Sequence, residues 1–212
     1  HDVLDVERQD IVVELERLAG AHGLWEQLVS LYLAAASETM SPDLQLALRL
    51  KVGRFLKDEL LDVDRAVAHY RELYDDHADH LEVLEALDEL YYTLSEWETL
   101  ATVLRHEIDV HSDVARKVAL LFRLGAVCEE RLNDPQQALQ SYSEVLQLEP
   151  DNHDAVVQLE RLFQDPALRL DIADLLESIY VERQDWPALH QLFELKLAVV
   201  GTDDRLELLK RL

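Results

Sequence analysis

The chain has 212 residues, 49% of them hydrophobic and 30% charged, with five glycines and five prolines, which is enough to bury a substantial core and too few breakers for an all-β fold. Its formal net charge of −24 sets nucleic acid and anionic lipid aside as partners, because binding either would need lysine and arginine that are scarce here. A basic polypeptide suits that charge, and a solvated acidic face that keeps the chain soluble is the plainer reading.

Apolar residues recur at three- and four-residue spacings between short breaks, so helices are expected in succession. The first four fall at about 7–20, 24–37, 42–60 and 64–76, and the next four at about 80–93, 96–110, 113–131 and 135–148. The last four are expected at about 153–163, 166–182, 186–200 and 203–212. Leu84, Leu87, Leu90 and Tyr91 draw one apolar stripe, and Val118, Leu121, Leu124 and Cys128 another. Ser41 before Pro42, Asp134 before Pro135 and Asp165 before Pro166 each place a capping side chain ahead of a proline, whose fixed φ and missing N–H suit a first helical turn. Ser95 followed by Glu98 reads as a capping box.

Cys128 is the single cysteine, which excludes an internal disulfide or a Cys-cluster metal site, and its place in an apolar stripe predicts a small buried side chain. No run approaches the roughly 18 continuous apolar residues needed to span a bilayer. The chain opens at His1 without an initiator methionine and stops in the amphipathic segment Arg205 to Leu212, as expected of a piece of something longer whose missing ends could carry targeting signals. On what is present, the expected location is cytoplasmic.

The sequence repeats itself. A shift of 72 residues brings Leu15 onto Leu87, Leu18 onto Leu90, Trp25 onto Trp97 and Leu28 onto Leu100. It continues with Ala47 on Ala119, Gly53 on Gly125, Leu60 on Leu132, Ala66 on Ala138 and Tyr70 on Tyr142. One register covers both stretches, which chance explains poorly. A shift of 89 residues carries Leu87 to Leu176, Tyr91 to Tyr180, Trp97 to Trp186 and Leu100 to Leu189. The two shifts differ by about one helix and its loop, and each 72-residue repeat divides into two helix pairs.

The segment Asn133 to Asp154 resembles the second helix and exit turn of a tetratricopeptide repeat, in which a small residue, an aromatic four residues on and a proline eight beyond that recur. Ala138, Tyr142 and Pro150 fit that spacing, and Phe122 fits the bulky residue near the start of the first helix. Ala66 and Tyr70 repeat the first two features, with Ala78 in place of the proline. The tryptophan-led repeats depart further, since Arg105 takes the aromatic position after Ala101, and the small residue of the first helix is matched by Ala126 but not by Arg54. The resemblance implies an all-α superhelix, or solenoid, of antiparallel helix pairs, about twelve helices in all. It also implies a module that holds another polypeptide along a concave face built from the first helix of each pair. A helix pair cannot bury its apolar face alone, so neighbours stack, and such stacks present extended surfaces.

In that register the concave face receives Lys51, Phe55 and Asp58 from one pair, Asp88 and Tyr92 from the next, and Arg123, Val127 and Glu130 from a third; these are the candidate peptide contacts. Lys51 and Arg123 sit where some members clamp a terminal carboxylate, but Phe55 and Val127 stand where asparagine would be needed, so that clamp is not expected. The expected organisation is a helical array over 1–165, continued over 166–212 after an extra helix, with a change of superhelical direction between Gln164 and Asp185.

Sites for chemistry are not suggested. Gly20, Gly23, Gly53, Gly125 and Gly201 form neither a GxGxxG nor a GxxxxGK arrangement. Asp75, Asp76, His77, Asp79 and His80 have ligand-type spacing, but they fall in a turn, where such residues cap and solvate, so no metal and no cofactor is expected. His106 and His111 lie five apart, poorly placed on one helix face. The expected function is a non-catalytic scaffold that binds a protein or peptide; the alternative is a regulatory or substrate-presenting arm of a larger enzyme. A helical-repeat RNA binder would need a basic groove with stacking residues, which the charge opposes. Self-association through terminal helices that lack polar caps is a further option.

Overall fold

The computed structural model describes residues 2–199. Among the described residues there are eleven α-helices and no strand, and no helix is long and apolar enough to cross a membrane. They form two compact units divided between Glu96 and Trp97. The first holds α1 (Asp2–His22), α2 (Trp25–Glu38), α3 (Pro42–Arg54), α4 (Val63–Asp76) and α5 (Leu81–Leu94), with α3 continued by a π-helical turn, Phe55–Glu59. The second holds α6 (Trp97–Val110), α7 (Val114–Glu130), α8 (Pro135–Leu148), α9 (His153–Leu162), α10 (Arg169–Glu182) and α11 (Trp186–Val199). The helix expected at 203–212 lies outside the described residues.

Helix starts follow from side chains that accept the orphan N–H groups of a first turn. Ser41 Oγ accepts from Leu44 N ahead of Pro42, Asp134 Oδ1 from Gln137 N ahead of Pro135, and Asn152 Oδ1 from Ala155 N. Two expected starts are corrected. Asp165 and Pro166 do not open α10: Asp165 Oδ1 accepts from Ala167 N at 2.9 Å and its carbonyl from Leu168 N, closing a turn, and the helix begins at Arg169. Arg169 then donates to the Phe163 and Gln164 carbonyls at 3.1 Å each, stitching that turn to α9. Ser95 is no N-cap either. It closes α5 in the left-handed conformation, φ 60°, with its N–H donating to the carbonyls of the last turn. Where Ala78 stands in place of the proline, α4 still ends at Asp76, the residue that the 72-residue shift maps onto Leu148, the last of α8.

Left-handed residues mark the repeat in three dimensions. Gly23, Ser95 and Gln184 all have positive φ, lie 72 and 89 residues apart, and stand two residues before Trp25, Trp97 and Trp186, which open α2, α6 and α11. The residue after each donates its N–H back five positions, to Ala19, Tyr91 and Tyr180, at 2.9 to 3.0 Å. Leu61 and Asn133, also 72 apart, are the second left-handed pair. Both registers read from the sequence therefore describe equivalent backbone, and the 17 residues by which they differ are accounted for by α9 with its turn. A left-handed residue other than glycine strains its Cβ by about 1–2 kcal/mol, so Gln184→Gly should stabilise the chain by about 1 kcal/mol. Urea denaturation followed by circular dichroism would show it as a raised midpoint, and an unchanged midpoint would count against the assignment.

Inside each 72-residue repeat, one contact sets the crossing of a helix pair. A Cβ built on Gly53 of α3 would stand 2.5 Å from Tyr70 Cζ of α4, and one built on Gly125 of α7 would stand 2.5 Å from Tyr142 Cε1 of α8. Both rings are buried, and Ala66 and Ala138, one turn earlier on the same helices, have no exposed surface. The small residue of the first helix is thus Gly125, with its equivalent Gly53, and not Ala126.

Candidate functional site

The first helices lie side by side within each unit, tied by ion pairs. Lys51 Nζ on α3 reaches Glu16 Oε1 on α1 at 2.5 Å, and Tyr32 on α2 donates to the same carboxylate at 3.1 Å. Arg54 on α3 donates to Glu82 on α5 at 2.7 Å, and Lys57 pairs with Glu89 of α5. In the second unit Arg161 of α9 pairs with Glu129 of α7 at 2.5 Å.

This layer sorts the residues expected to touch a partner. Phe55 is 9% exposed, its ring 5.1 Å from that of Trp25 and 5.7 Å from that of Tyr32, so it is core and its expected contact role is corrected. Val127 and Asp88 are also buried, at 7% and 3%. Lys51 is half-buried and engaged by Glu16. Asp58 and Tyr92 in the first unit, and Arg123 and Glu130 in the second, remain exposed. Cys128 is buried as expected, and burial pushes its thiol above the usual range. Burial likewise pushes the Tyr142 hydroxyl up to about 12 and holds the His69 imidazole, whose Nε2–H donates to the Arg49 carbonyl at 2.7 Å, below its ordinary value.

The second helices carry a feature that the sequence reading missed. Between α6 and α8, over the start of α7, the second unit has an open groove of about 430 Å³. Ile108, Leu121 and Leu148 give it apolar floor, Asp109 and Lys117 bring opposite charges from α6 and α7, and α8 supplies a polar wall. That wall is Gln140, Ser143, Glu144 and Gln147, a stripe at three-, four- and seven-residue spacing. At 3.6 residues per turn, Lys117 and Leu121 fall roughly 130° around α7 from Arg123, Val127 and Glu130, so none of the eight expected contacts lines this groove. The signal was available as the polar stripe, but polar stripes on second helices read as solvated surface.

Glu144 is not free within the groove wall. Arg105 of α6 donates to it at 2.7 Å and Gln140 at 3.0 Å, so Arg105 ties the two second helices together. Ser143 donates to its own helix, at the Leu139 carbonyl. Asp109 and Lys117 remain as the charged groups for an occupant to meet.

No family model and no curated protein matches the chain. Among solved structures, a tetratricopeptide repeat protein from Parabacteroides merdae is similar at a TM-score of 0.52 and 13% identity, over 91% of this chain and 80% of that one. MamA is similar at a TM-score of 0.48 and 14% identity, over 80% of this chain and 94% of that one. With eleven helices, no strand among the described residues, and helix pairs locked at equivalent glycines, the chain has an all-α fold of tetratricopeptide-like helix pairs.

Proposed function

We propose that this chain is a non-catalytic scaffold that holds a polypeptide partner of net positive charge. The observation that carries the reading is where the cations go. Arg49 pairs with Glu72 and Asp76, Arg65 with Glu26, and Arg105 with Glu144, each joining one helix to another, as do the pairs of Lys51, Arg54 and Arg161. Basic residues thus act mainly as internal ties, and in a chain of net charge −24 most carboxylates of the described residues are exposed. Such a field speeds and orients encounter with a cationic partner and repels phosphate backbones.

Within each unit the exposed side chains of the first helices serve as the contacts in this reading, Asp58 and Tyr92 in one and Arg123 and Glu130 in the other. An exposed tyrosine offers rigid contact area at low entropic cost. The test is capture from an extract of the source organism on the immobilised full chain at two salt concentrations. Each captured protein would then be titrated against Asp58→Lys and Glu130→Lys variants. Retention that weakens with salt, and affinity reduced about tenfold by the charge reversals, is the expected result. If no protein is retained specifically, or the retained ones ignore salt and both substitutions, the reading is wrong.

A further inference from the structure

The groove between α6 and α8 joins an apolar floor to polar and charged walls, and its chemistry is selective. Its length along α8, from Gln140 to Leu148, is about 12 Å, which matches about four residues of extended chain. Its apolar floor suits one or two aliphatic side chains. The Gln147 side-chain amide can both donate to and accept from a peptide backbone.

Charge decides what else the occupant carries. Asp109 is exposed and, among the described residues, no cation lies within ion-pair distance of it, whereas Glu144, the other carboxylate of the groove, is neutralised by Arg105. Asp109 belongs to the last turn of α6, and Gln147 and Leu148 to the last turn of α8, so two helix C-termini bring negative partial charge to the groove, against the single N-terminus of α7, whose first turn carries Lys117. Lys117 is the single cation of the lining. It stands in the first turn of α7, a turn away from Leu121, and suits a backbone carbonyl of the occupant. A basic side chain is therefore favoured at Asp109, and an acidic one there is opposed by Asp109 itself and by the net charge of the chain.

We propose that this groove binds a short extended segment of a partner polypeptide, with an arginine or lysine side chain at Asp109 and a neighbouring aliphatic side chain on Ile108, Leu121 and Leu148. This deepens the scaffold reading and rests on it, but places the contact on the second helices and away from the first-helix face.

The probe is a set of fluorescent, N-acetylated and C-amidated hexapeptides with a central Leu-Arg-Leu, titrated into the full chain by polarisation. Parallel peptides carry citrulline or glutamate in place of the arginine. The arginine peptide should bind at least about tenfold more tightly than either. Asp109→Lys and Gln147→Lys, both at exposed positions, should each weaken it about tenfold, while the charge-matched exposed controls Asp64→Lys and Glu182→Lys leave it unchanged.

Equal binding of the citrulline peptide, or indifference to Asp109→Lys and Gln147→Lys, would overturn the proposal. Weakening of the same size by Asp64→Lys or Glu182→Lys would also overturn it, because the effect would then follow total charge and not Asp109. Failure of every peptide removes the groove assignment, and the capture experiment then decides the scaffold reading separately.

Discussion

Phe55→Ala should lower the unfolding free energy of the first unit by about 3–5 kcal/mol, the range for truncating a buried aromatic ring. The ring stands against Trp25 and Tyr32 and anchors the π-helical turn that continues α3, so removing it leaves a cavity among three helical segments instead of altering a surface. Asp58→Ala, three residues on and exposed, should change stability by less than about 0.5 kcal/mol. Urea titrations followed by circular dichroism and tryptophan emission would separate the two. Equal, small effects would mean that Phe55 is not core. Any loss of partner binding in the Phe55 variant is then a consequence of unfolding and not of a lost contact.

Gly125→Ala should cost about 2–3 kcal/mol, as expected for overpacking a fully formed interface. A Cβ there meets Tyr142 Cε1 at 2.5 Å and Cζ at 2.7 Å, and the ring cannot swing away because Phe122 lies 5.9 Å from it and the residue is 2% exposed. The helix must instead move off its partner. Because Gly53 and Tyr70 repeat the contact, Gly53→Ala should give a loss of similar size in the first unit. Alanine is the better helix former by about 1 kcal/mol, so a destabilising outcome would have to overcome that gain. A chain made more stable by either substitution would show that the helices have room to spare.

Helix positions were legible because each helix has to bury one stripe, and periodicity records that need directly. The two shifts were legible because duplicated backbone keeps the residues that fix it, the tryptophans that open α2, α6 and α11 above all. What escaped were residues whose role depends on a neighbour from another helix. Gly125 beside Ala126 looks interchangeable until Tyr142 comes down on one of them. Ser95 has the composition of a helix start, yet the same small polar residue also tolerates the left-handed end of the previous helix, and only the hydrogen bonds of α5 decide between the two. Pro166 suits a turn as well as a first helical turn, and Asp165 binding Ala167 selected the turn.

The candidate contacts suffered most, because a register places a residue on a helix but does not fix how far the next helix covers it. Phe55 and Val127 occupy equivalent positions 72 residues apart, and both are roofed by neighbours, whereas Asp58 and Glu130, in the same two segments, are open. Ion pairing hid the rest: Lys51 looks like a ligand-facing cation in the sequence and is instead held by Glu16.

Gly23, Ser95 and Gln184 leave their helices by the same bend and hand the chain to a tryptophan after the same two steps, although three different side chains occupy that bend. Joints of one shape are interchangeable: a splice from Gly23 to Glu96 would meet the local path that either parent joint already has. Such a chain can lengthen or shorten by whole modules without inventing new connections, and the insertion of α9 upstream of Gln184 shows a length change absorbed between joints that kept their form.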